Sequence, residues 1–72
     1  MEITTEMYQK YRDELREVED RLQFLYHEQE EAREFGDLSE NEEYQAVSME
    51  IRVLSTKKSD LTELLKDAVL IE

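Results

Sequence analysis

The chain has a single glycine, Gly36, and no proline among its 72 residues. These two residue types are the ones that most often end or bend a helix. The stretches on either side of Gly36 can therefore each form one uninterrupted helix, and the chain is expected to reverse only near this glycine. A content of 40% charged residues, rich in Glu, Leu, Lys and Arg, is typical of a long helix or a coiled coil.

Apolar side chains recur at steps of three and four in both stretches, which is the heptad spacing that keeps one stripe of a helix facing a partner. Two such stripes joined by a short turn favour an antiparallel pair. We therefore predict an all-α fold, an antiparallel two-helix coiled-coil hairpin with an acidic tip. The stripes consist of Tyr8, Tyr11, Leu15, Val18, Leu22, Leu25 and Ala32, and of Tyr44, Val47, Ile51, Leu54, Leu61, Leu65 and Ala68.

The predicted helices run from Thr5 to Glu34 and from Ser39 to Lys66, with a turn at Gly36 to Leu38. Thr4 or Thr5 can cap the first helix. Counting outward from the turn gives the expected pairs, which are Ala32 with Tyr44, Leu25 with Ile51, Leu22 with Leu54, Leu15 with Leu61, and Tyr11 with Leu65.

Two polar residues interrupt the predicted stripes. Gln29 is expected opposite Val47, and Lys58 opposite Val18. The long stem of Lys58 can lie along the stripe and carry its ammonium group to Glu17 or Glu19. Such polar residues cost stability but can fix the register of two helices.

The length allows one domain, residues 1–72. The chain has no cysteine, which excludes disulfide and thiol chemistry and fits a cytoplasmic protein. No apolar run approaches the length of a membrane span, so no membrane partner is expected. A net charge of -11 argues against binding to free nucleic acid, because that requires a basic surface.

Acidic residues concentrate around the predicted turn, where Arg33 is the only lysine or arginine. The run consists of Glu28, Glu30, Glu31, Glu34, Asp37, Glu40, Glu42 and Glu43. A charge run of this kind is often only a solvated face. The alternative is an acidic end that binds metal ions or enters a positively charged cavity.

Helix initiation can account for part of this cluster. Ser39 and Glu42 have the spacing of a capping box, and so do Asp37 and Glu40. Carboxylates in the first turn also favour the positive end of the helix dipole. On spacing alone, the segment can therefore be a structural helix start.

A calcium-binding loop and an enzyme active site are both excluded. Asp37, Ser39 and Asn41 match the first ligand positions of an EF-hand loop. Glu42 then stands where that loop needs glycine, and Ser48 where it needs a bidentate glutamate. No nucleophile has a base at suitable spacing, and no glycine-rich phosphate loop is present.

The segment from Ala32 to Tyr44 reads Ala-Arg-Glu-Phe-Gly-Asp-Leu-Ser-Glu-Asn-Glu-Glu-Tyr. It closely resembles the coiled-coil tip of the bacterial transcript cleavage factors GreA and GreB. The start of the chain, with Ile3-Thr4-Thr5 followed by Lys10, Glu14 and Leu15, resembles the family's amino-terminal start. The end, from Ala68 to Glu72, resembles the junction with the family's second domain. The resemblance therefore covers the whole chain.

This resemblance implies a function. The family's coiled coil enters the secondary channel of bacterial RNA polymerase and stimulates cleavage of backtracked RNA. Two tip acids, matched here by Asp37 and Glu40, hold Mg2+ jointly with the polymerase and position a water molecule. The polymerase performs the cleavage, so the chain is not expected to be an enzyme itself. Contacts with RNA or polymerase are implied for Arg33, Ser39, Asn41 and Arg52, where Ser39 and Asn41 would either orient the acids or touch the partner.

The sequence also departs from the family. The second domain, which docks on the channel rim, is expected to be absent from residues 1–72. Ser48 occupies a position that is usually basic, and Arg52, one turn further, can substitute. A proline that is usual in the first helix is missing. Two alternative functions stay open, a channel-plugging inhibitor of the same family and a structural coiled-coil adaptor.

Overall fold

The computed structural model describes residues 1–36 and 41–71. Two long helices, α1 (Thr5–Arg33) and α2 (Glu42–Asp67), make up most of the molecule. Two short strands, β1 (Glu2–Ile3) and β2 (Val69–Leu70), lie at the chain ends. The molecule is a rod that measures 53 × 15 × 13 Å, which confirms the predicted all-α hairpin.

Helix α1 begins where the sequence predicted. The side-chain oxygen of Thr4 accepts a hydrogen bond from the backbone N–H of Met7 at 3.1 Å, which satisfies one of the unpaired donors of the first turn. At the other end the helix stops at Arg33, one residue before the predicted end at Glu34, and Glu34 is the C-cap. No glycine or proline interrupts the helix in between.

Helix α2 begins at Glu42, so the predicted start at Ser39 is wrong. Asn41, in an extended conformation (φ -90°, ψ 95°), is the N-cap residue. Asparagine and serine cap helices about equally well, so the hydrogen bond that Asn41 makes to α1 decides between them. The predicted capping box between Ser39 and Glu42 is therefore not the helix start. The helix ends at Asp67, one residue beyond the prediction.

The core is a single line of side chains between the helices. Val18, Leu22 and Leu61 form a buried cluster, and Tyr11, Leu15, Ile51 and Leu54 pack against it. Leu25 and Ala32 are also buried nearer the turn. These residues belong to the predicted stripes. A fully buried leucine or valine contributes about 1.5–3 kcal/mol, so the few residues of this line supply most of the stability.

Ion pairs flank the core on both sides and show that the helices are antiparallel. Nζ of Lys57 lies 3.0 Å from Oε1 of Glu14, and Nε of Arg21 lies 3.0 Å from Oε2 of Glu50. Nζ of Lys58 lies 3.8 Å from Oε2 of Glu19, one of the two acids that the sequence predicted for it. Their side chains are about half exposed, so each pair contributes roughly 0–1 kcal/mol.

The strands at the base of the rod were not predicted. They pair in parallel, with Glu2 opposite Val69 and Ile3 opposite Leu70. The backbone N–H of Val69 donates to the carbonyl of Met1 at 2.7 Å, and that of Ile71 donates to the carbonyl of Ile3 at 2.8 Å. These bonds hold the two chain ends together. Neither helix is long and apolar enough to cross a membrane.

Candidate functional site at the hairpin tip

The tip is the end of the rod where α1 stops and α2 starts. Gly36 has a φ of 119°, a backbone conformation that residues with a Cβ rarely adopt. A Cβ at this position would meet no atom within 4 Å, so the preference for glycine comes from the backbone and not from crowding. The sequence correctly predicted that Gly36 takes a positive φ just beyond the end of α1.

Three of the predicted site residues, Asp37, Ser39 and Glu40, lie outside the described residues. Their predicted roles as acids or contacts stay predictions. The described residues on either side are Gly36, just beyond the end of α1, and Asn41, the N-cap of α2.

Asn41 joins the two helices through both ends of its side-chain amide. Its Oδ1 accepts a hydrogen bond from the backbone N–H of Tyr44 at 3.0 Å, which caps α2. Its Nδ2 donates to the backbone carbonyl of Ala32, in the last turn of α1, at 2.7 Å. The same carbonyl also accepts from the N–H of Phe35 at 3.1 Å. Both functional atoms of the Asn41 amide are thus used within the chain.

Other carboxylates surround the tip but do not converge on one point. Glu34, Glu42 and Glu43 are exposed, and Glu42 and Glu43 lie in the first turn of α2, where they favour the positive end of the helix dipole. Within residues 1–36 and 41–71, no group of three or more potential ligands could hold a metal ion. A metal at the tip would therefore depend on Asp37 and Glu40.

Arg33 is held beside an aromatic ring of the facing helix. Its guanidinium carbon lies 6.0 Å from the centre of the Tyr44 ring. A hydrogen bond with Tyr44, and then the charge of Glu30, raise the pKa of Arg33 above its usual value. The side chain is exposed, so the tip presents one fixed positive charge among the acids. Sequence reasoning identified Arg33 but not its partner Tyr44.

Further along the rod, Arg52 presents an exposed side chain on α2. Ser48, one turn nearer the tip, occupies the position where the resemblance suggests a basic residue. Its hydroxyl accepts a hydrogen bond from Nε2 of Gln29 at 3.0 Å. Ser48 therefore serves helix packing here, and Arg52 is the basic residue available on this part of α2.

Comparison with known proteins agrees with this geometry. Residues 1–70 match the family described as "Transcription elongation factor, N-terminal". The chain is similar to transcription elongation factor GreA of Thermotoga neapolitana (37% identical), Thermosipho melanesiensis (39%) and Thermotoga maritima (35%). Each match covers 97% of this chain and 46% of the relative. The chain thus spans about half the length of the curated relatives it matches. No solved structure matches.

Proposed function

The chain belongs to the family of transcription elongation factor N-terminal domains, and from this premise we propose its function. The chain binds bacterial RNA polymerase, inserts its tip into the secondary channel and stimulates cleavage of backtracked RNA. The observation that carries this proposal is the tip segment Ala32 to Tyr44, which joins the two helices at one end of a rod 15 × 13 Å across. A rod of this width is suited to delivering charged side chains into a narrow channel.

The residues proposed to act at the polymerase centre are Asp37 and Glu40. Carboxylate oxygens are the ligands that Mg2+ prefers, and Mg2+ usually takes only one or two of them from a protein. Two carboxylates therefore fit an ion that is shared with the polymerase. When bound, Mg2+ stabilises negative charge on the phosphate oxygens and activates a water molecule. The two side chains would orient that water and add the charge that holds the ion.

The polymerase supplies the catalytic centre, so the chain itself is not an enzyme in this account. Arg33 and Arg52 are proposed to contact the RNA or the polymerase, because both match the resemblance and present exposed positive charge on a chain of net charge -11. Ser39 and Asn41 are proposed to contact the same partners or to orient the acids. A factor that acts on bacterial RNA polymerase would work in the cytoplasm.

The test is an RNA cleavage assay on stalled, backtracked elongation complexes of bacterial RNA polymerase. The 72-residue chain, added at increasing concentration, should shorten the RNA from its 3′ end and restore elongation. A chain that binds but slows both intrinsic cleavage and elongation would instead be a channel-plugging inhibitor. A chain that neither binds nor changes cleavage at any concentration would be a structural adaptor, and the proposal would fail.

A further inference from the structure

We infer that Asn41 is a positioning residue of the tip, which fixes where α1 ends relative to where α2 begins. The inference rests on the proposed function for its consequence in RNA cleavage. It separates two roles that the sequence left open for Asn41, orienting the acids or touching the partner. The hydrogen bonds of the Asn41 side chain favour the first.

The side-chain amide of Asn41 is engaged at both ends. An asparagine side chain offers one acceptor oxygen and one donor NH2 group. In Asn41 the oxygen binds Tyr44 N–H on α2, and the NH2 group binds the Ala32 carbonyl on α1. The side chain is half-buried. A direct contact with RNA or polymerase would have to break one of these bonds or use the remaining N–H or the second lone pair of Oδ1.

Asn41 also satisfies backbone atoms at the facing ends of the two helices. The last carbonyls of a helix and its first N–H groups have no partner within the helix. Asn41 accepts from one free N–H at the start of α2 and adds a second hydrogen bond to the Ala32 carbonyl, which also accepts from Phe35. Ala32 is only 1% exposed, so its carbonyl has little access to water as a substitute. The 2.7 Å bond is therefore difficult to replace.

Fully buried apolar side chains are small near the tip. The larger buried side chains, Val18, Leu22, Leu25 and Leu61, lie further from the turn than Ala32. The small side chain of Ala32 is buried but contributes little apolar area to the helix interface. Over the last turn, the Asn41–Ala32 hydrogen bond therefore adds to a small apolar contact in fixing the relative position of the helix ends. In the proposed function, these helix ends are the attachment points of the segment that carries Asp37 and Glu40.

The inference is tested with Asn41→Ser and a matched control, Thr4→Ala. Serine keeps an oxygen that caps α2 about as well as asparagine does, but it has no NH2 group to reach Ala32. Thr4→Ala removes the cap of α1 at the opposite end of the rod. Each variant is titrated into the cleavage assay to give a cleavage rate at saturation and a half-saturating concentration. Amide hydrogen exchange is measured on the free chains.

For Asn41→Ser we expect the saturating cleavage rate to fall by about tenfold or more, because small displacements of reacting groups have effects of this size. The half-saturating concentration should change less than about threefold, and the Phe35 amide should exchange faster. Thr4→Ala should leave the saturating rate and Phe35 exchange unchanged. If Asn41→Ser raises only the half-saturating concentration, Asn41 touches the partner directly and the inference is wrong.

The exchange measurement also separates this inference from the proposed function. If the unmodified chain stimulates no cleavage, the proposed function fails, and hydrogen exchange alone decides whether Asn41 holds the helix ends. Faster exchange of Phe35 in Asn41→Ser, but not in Thr4→Ala, supports the inference. Equal exchange in all three chains overturns it.

Discussion

Gln29 on α1 and Ser48 on α2 form a side-chain hydrogen bond across the helix interface, with 3.0 Å between Nε2 and Oγ. Both side chains are half-buried. The bond lies between buried Leu25 and buried Ala32, so one polar layer interrupts the apolar line near the tip. A polar pair inside an interface favours the single register in which its two partners meet.

A double-mutant cycle with Gln29→Ala and Ser48→Ala should measure this bond. Each single change should lower the free energy of unfolding, because the other partner is left half-buried without its hydrogen bond. The coupling between the two should be about 0.5–1.5 kcal/mol, the usual net value of one hydrogen bond. The free energy of unfolding is measured by urea denaturation, with circular dichroism as the signal. Additive effects of the two changes would mean that the bond does not stabilise the hairpin.

Leu22→Ala should destabilise the chain by about 2–4 kcal/mol, the range for a truncated core leucine. Leu22 is 3% exposed and lies in the central cluster. Met49→Ala is the control, since Met49 is 67% exposed and its change should cost about 0.5 kcal/mol or less. Thermal melting compares the two variants. A Leu22→Ala melting temperature equal to that of Met49→Ala would place Leu22 outside the interface that stabilises the fold.

The affinity of the 72-residue chain for core RNA polymerase should be weak and should fall as salt concentration rises. The chain carries a net charge of -11, and attraction to a positively charged channel is screened within about 8–10 Å at physiological ionic strength. The chain also corresponds to only 46% of its relatives, and a linked second binding module would raise the effective concentration of the tip. Titration of a labelled chain with core RNA polymerase at several salt concentrations measures both the affinity and its salt dependence. Tight, salt-independent binding would show that the rod carries an apolar docking surface of its own.

Most of the fold followed from the heptad spacing, because burial of an apolar stripe is the main source of stability in a two-helix rod. Val18, Leu22 and Leu61 were assigned to the interface for this reason, and their burial confirms it. The position of Lys58 beside Glu19 also followed from the stripe, because the apolar stem of a lysine can lie along it while the ammonium group reaches an acid outside it.

The start of α2 did not follow from spacing. Ser39, Asp37 and Asn41 are all good capping residues, and local sequence alone does not rank them. The choice depends on a tertiary contact, the hydrogen bond from Asn41 to Ala32, which no pattern near residue 41 encodes. The base strands were missed for a similar reason. Their pairing joins residues from opposite ends of the chain, and each strand is too short to show an alternating pattern.

For the candidate site, the sequence identified Arg33 and Asn41 as tip residues but not their partners. Tyr44 was assigned to the apolar stripe, yet it also holds the Arg33 guanidinium. Aromatic rings at helical spacing usually indicate packing, and the second role depends on how the two helices face each other. The predicted roles of Asp37 and Glu40 rest on the resemblance of the tip segment and need a functional measurement.

That measurement is RNA cleavage by backtracked polymerase complexes with Asp37→Asn and Glu40→Gln. Each amide keeps the shape of the side chain but loses the charge that Mg2+ requires, so each variant should lose most stimulated cleavage while its melting temperature stays unchanged. Glu42→Gln is the matched control. Glu42 is an exposed carboxylate in the first turn of α2, and its loss should cost about 1 kcal/mol or less and leave cleavage nearly unchanged. If Asp37→Asn and Glu40→Gln cleave as well per folded molecule as the unmodified chain, the tip acids do not act at the polymerase centre and the central claim is wrong.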